Sequence, residues 1–123
     1  MNSFQQLTKQ CESIANTITN PPLVTEGIVD TYSSAVLGAH LTARDFIADS
    51  FDTKFTISGD LQYLSGVVCI ELGGPNIYID TGSGTINGYW GSAVVRVPFI
   101  DTMDIDEALE SQFITGIELC RMN

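Results

Sequence analysis

Five carboxylates fall within ten residues, at Asp101, Asp104, Asp106, Glu107 and Glu110, with no Lys or Arg among them. Two kinds of chemistry suit such a cluster: ligation of a hard cation, or an anionic surface offered to a basic partner. A calcium loop of the EF-hand type requires a Gly and a distal bidentate Glu at fixed offsets after a framing helix, and these are missing. The anionic surface fits better. Asp104 reads as a helix N-cap with Glu107 at the capping-box position, where acids also complement the helix dipole. Asp106 and Glu110 stand four apart on the same helix and repel each other slightly. A basic groove would select for that arrangement.

A second group is polar and aromatic: Tyr78, Asn87, Tyr89 and Arg96. Tyr and Arg are enriched at interface hot spots. Cross-strand aromatic pairs also stabilise sheets that bind nothing, so both roles stay open. Gly82-Ser83-Gly84 is too short for a phosphate-binding loop, lacks its Lys and lies between two strands, which makes it a hairpin turn. Ser83 has no evident base. His40 is the sole histidine and forms neither a dyad nor a metal cluster by itself. Cys11, Cys69 and Cys120 are far apart, odd in number and without a CxxC pair, so they are expected unpaired and mostly buried. The chain is expected to have no catalytic residue, no cofactor and no metal.

The elements that must position these residues are legible in the spacing. From Gly66 to Pro98 four short runs rich in Val, Ile, Tyr and Trp alternate with Gly-rich turns, the pattern of an antiparallel meander. Ile77 and Ile79 share one face, as do Ile86 and Trp90, and Ala93, Val95 and Val97. Tyr78, Asp80, Asn87, Tyr89 and Arg96 share the other. Trp90 is expected buried with Ile77, Ile79 and Ile86 beneath the terminal helices. The run Val67–Leu72 is apolar at nearly every position, Glu71 excepted, which suits a central strand or one covered on both sides.

Before the sheet, Ser3 and Gln6 read as a capping box for a helix whose stripe is Phe4, Leu7, Cys11, Ile14 and Ile18, ended by Asn20-Pro21-Pro22. A second helical spacing runs through Ile28, Tyr32, Ala35, Val36 and Ala39, with Pro22 suited to its first turn. Thr42 caps a third helix with Asp45, and Phe46, Ile47 and Phe51 supply its buried side. Thr53–Ser58 alternates as a strand with Phe55 and Ile57 together. The last helix carries Ile105, Leu109, Phe113, Ile117 and Cys120 as its stripe. The fold class is therefore α+β, a single domain over residues 1–123 with a four- to five-stranded antiparallel sheet and helices on its apolar face.

Composition bounds the function. The chain has 123 residues, 44% of them hydrophobic, enough for one core. Fifteen Asp and Glu against five Lys and Arg give a formal charge of −10. That disfavours direct nucleic acid binding, which needs cations to displace counterions, and disfavours anionic membranes. No apolar run reaches the length of a membrane-spanning helix, and the first residues show no secretion signal, which points to the cytoplasm. A basic protein partner suits the charge, and so does solubility alone.

The stretch Gly73-Gly74-Pro75-Asn76-Ile77-Tyr78-Ile79-Asp80-Thr81, followed by Gly88-Tyr89-Trp90-Gly91, resembles segments of small accessory proteins of phages, plasmids and conjugative elements. A short, acidic, helix-plus-meander chain is similar to anti-CRISPR and antirestriction inhibitors. The resemblance implies a class: a non-enzymatic inhibitor that binds a host-defence complex, such as a CRISPR effector or another nuclease complex, in the cytoplasm of a bacterial host. The alternatives are a small ligand-binding module or enzyme on the Tyr78–Arg96 face, or a structural accessory protein of a mobile element.

Overall fold

The computed structural model describes residues 2–121. Nine elements follow in order: α1 (Ser3–Thr19), α2 (Glu26–Thr31), α3 (Ala43–Ile47), β1 (Asp52–Ile57), β2 (Tyr63–Glu71), β3 (Asn76–Asp80), β4 (Thr85–Trp90), β5 (Ala93–Pro98) and α4 (Ile105–Arg121). The strands form one antiparallel sheet in the order β1-β2-β3-β4-β5, a meander in which every strand pairs with its sequence neighbour. Helices pack on the sheet, so the α+β class read from the sequence holds. β2 is an inner strand, and β3 is the central one. Val68 of β2 is buried beneath the helices, and the adjacent Cys69 is buried on the opposite face.

The core joins the inner face of the sheet to the helices. Val68, Ile77, Ile79, Ile86 and Val95 meet Leu7, Cys11, Ala15 and Ile18 of α1 and Ile105 and Leu109 of α4. Two glycines set how close the helices come. A β-carbon at Gly88 would lie 2.7 Å from Cys11 Sγ and 2.8 Å from Leu7 Cδ1. One at Gly66 would lie 2.7 Å from Leu109 Cδ1. Missing side chains on β4 and β2 are thus the sockets into which α1 and α4 settle.

Several local expectations are corrected. Asn2, not Ser3, caps α1: its side chain accepts from Gln5 N at 2.9 Å, and Gln5 Oε1 accepts from Asn2 N at 3.2 Å. The stripe of α1 accordingly runs through Ala15, while Phe4 is exposed and Ile14 only partly covered. The second helix is only Glu26–Thr31, after Thr25. Its continuation is a loop closed by Val24 N donating to Ala39 O and Leu41 N to Pro22 O, which leaves Val36 and Ala39 exposed. Thr42 does cap α3, accepting from Asp45 N, and Asp45 accepts in turn from the Thr42 and Ser34 hydroxyls. Those bonds hold the Asp45 carboxyl below the usual range. Phe51 lies beyond that helix and is 61% exposed. Trp90 occupies the helix side, but near the sheet margin, so it is only partly buried.

Candidate functional site

The acidic cluster sits where the chain leaves β5 and enters α4. Asp101 and Asp106 are built into the fold. Asp101 caps the helix: its two carboxylate oxygens accept from Ile105 N at 2.7 Å and Asp106 N at 2.9 Å. This corrects the expectation that Asp104 does so. Asp104 is exposed with a left-handed backbone, φ 63°, and joins the helix through its carbonyl, which accepts from Ala108 N. Short polar side chains such as Asp tolerate that region better than most.

Asp106 reaches the sheet, accepting from the Tyr63 hydroxyl at 2.6 Å. Burial, then this bond, push the Tyr63 hydroxyl well above the ordinary tyrosine range. Tyr63 also belongs to an aromatic cluster with Phe55 and Phe113 at ring separations of 5.6–6.2 Å. Asp106 is therefore a pin between α4 and β2, not a freely solvated acid. The exposed acids here are Asp104, Glu107 and Glu110.

The polar-aromatic group lies on the face away from the helices. Register brings Tyr78, Asn87 and Arg96 into one cross-strand row, since Tyr78 pairs with Asn87 and Asn87 with Arg96. Tyr89 packs its ring edge-on against Tyr78 at 5.9 Å. The four residues grouped by sequence alternation therefore do meet. Pairing extends the row through Cys69 to Asp52, across all five strands, with an acid at one end and Arg96 at the other. Sequence reading missed Asp52 and Cys69 here because strand pairing, not local spacing, brings them into the row.

Beside the row a hydrogen-bond chain runs along the strand. Ser83 and Thr85 hydroxyls lie 2.6 Å apart, and the Thr85 hydroxyl donates to Asn87 Oδ1 at 2.9 Å. That contact accounts for a nearly buried amide. Asp80 Oδ1 accepts from Gly82 N and Ser83 N, so the Gly82-Ser83-Gly84 segment is a hairpin turn.

The remaining chemistry-bearing residues have structural places. His40 Nδ1 lies 3.1 Å from the Pro21 carbonyl, which makes it the donor and ties two loop strands together. All three cysteines are free. Cys11 and Cys69 are buried, whereas Cys120, in the last turn of α4, is exposed along with its neighbours Glu118, Leu119 and Arg121. Burial and, secondarily, Glu12 push the Cys11 thiol up to about 11. Among the described residues no group of three or more His, Cys, Asp or Glu is arranged to hold a metal ion, and no helix is long and apolar enough to cross a membrane.

Compared with protein-family models, with curated proteins and with solved structures, the chain matches none.

Proposed function

We propose that the protein is a non-enzymatic inhibitor that presents Asp104, Glu107 and Glu110 to the basic, nucleic-acid-handling surface of a host-defence nuclease complex and keeps nucleic acid out of it. The observation that carries this reading is the division of labour among the five acids. The fold uses Asp101 and Asp106 for its own hydrogen bonds and leaves the other three exposed around the start of α4. A formal charge of −10 would speed encounter with such a surface and repel free nucleic acid. The protein would act in the cytoplasm of a bacterial host, as a product of a mobile element.

A second reading rests on the open sheet face. The Tyr78–Tyr89 ring pair beside Arg96 is a surface of the kind that small ligands or proteins use.

Titration of the purified protein against DNA- and RNA-cleaving defence complexes, with substrate binding as the readout, tests both. The variant Glu107→Lys with Glu110→Lys should fold normally and lose inhibition by about tenfold or more. Rising salt should weaken the parental complex as well. If that variant inhibits like the parent and Tyr78→Ala with Arg96→Ala does not, the sheet face is the binding surface. If no complex responds to the parent, the inhibitor reading is wrong.

A further inference from the structure

The two edges of the sheet are not alike. β5 ends in Pro98, which has no N–H to offer, and α1 packs over β4 and β5. β1 is exposed along nearly its whole length and contains no proline. Its bulge lies at the far end, between Thr56 and Ile57. The Phe51 N–H is already donated to Cys69 O of β2, so the open backbone edge begins beyond it, within β1 itself, and natural sheets seldom leave such an edge bare.

We propose that this edge pairs with the β1 edge of a second copy of the chain, giving a twofold dimer with one continuous ten-stranded sheet centred on Thr53. The register follows from charge. A twofold axis perpendicular to the sheet sets opposing residues on the same face, so the centre must be a residue. Centring on Asp52 opposes two aspartates, and centring on Lys54 opposes two lysines. Centring on Phe55 leaves Lys54 opposite Thr56. Centring on Thr53 sets Asp52 against the second copy's Lys54, and Lys54 against its Asp52.

The same register brings Phe51, 61% exposed, near the second copy's Phe55, 36% exposed. Phe55 is the member of the Phe55–Tyr63–Phe113 ring cluster that lies on this edge strand. Both charges are therefore self-complementary in one register of those available. The dimer does not depend on the inhibitor reading, since it forms with no partner present.

The test is self-association of the full chain, measured by sedimentation velocity from micromolar to submillimolar protein. The parent should dimerise. Lys54→Asp and Asp52→Lys should each be folded by circular dichroism and each dimerise about tenfold or more weakly, since like charges then face each other twice. Mixed one to one, the two variants should form a heterodimer, because both carboxylates of the first then face both ammonium groups of the second. A monomeric parent across that range overturns the dimer. Single variants that dimerise like the parent, or a mixture that stays monomeric, overturn this register.

Discussion

At the scale of single residues, Tyr63 and Asp106 show how one bond changes the reading of an acid. Tyr63→Phe keeps the ring packing and removes the hydroxyl, so chemical denaturation should report a loss of about 1–2 kcal/mol at neutral pH. The same pair gives a pH dependence. The folded hydroxyl titrates above its unfolded value of 10.0, so its contribution is fully present below about pH 10 and is lost as pH rises through the folded value. Melting temperature should therefore fall above pH 10, and Tyr63→Phe should flatten part of that fall. Cys11 adds to it from lower pH, since its thiol rises from 9.0 to about 11 on folding. The thiols also separate kinetically. A disulfide reagent at pH 8 should modify Cys120 at once and Cys11 and Cys69 only on unfolding, a pattern that uniform labelling of all three would refute.

At the scale of elements, packing can be tested at the glycines. Gly88→Ala drives a methyl into Cys11 and Leu7 of α1 and should cost about 1–3 kcal/mol. Gly116→Ala lies in α4 with nothing within 4 Å and should stabilise by about 0.5–1 kcal/mol. Equal effects at both positions would mean that α1 does not settle into the β4 socket. The meander was legible because its turns are two to five residues long and its strands alternate, so local spacing fixed both the pairing order and the faces of Tyr78, Asn87 and Arg96. Phe4 and Cys120, in the first turn of α1 and the last turn of α4, were misjudged because periodicity says which side of a helix is apolar, not where that side loses its cover. Phe51 was misjudged because α3 stops at Ile47, before reaching it. Asp106 was misjudged because its partner, Tyr63, is 43 residues away in sequence. The bond between them depends on how α4 lies on β2, which no local pattern encodes.

At the scale of the whole molecule, the question is whether the charge of −10 acts as a total or through its placement. A total charge acts over a Debye length, about 10 Å at 0.1 M salt, and cares little which acid supplies it. A docking surface cares a great deal. Two double reversals separate these effects. Glu107→Lys with Glu110→Lys alters the exposed start of α4, and Glu26→Lys with Asp30→Lys alters α2. Each reversal changes the charge by two, so both variants go from −10 to −6. All four positions are exposed, so neither variant should lose the fold. If placement matters, inhibition of the target complex falls about tenfold or more for the α4 variant and only slightly for the α2 variant, with a matching difference in off-rate. If the total matters, both lose the same amount, mainly in on-rate, and the difference vanishes in high salt. The second outcome would reduce the acids of α4 to a soluble surface and leave the Tyr78–Arg96 face as the place where a partner must bind.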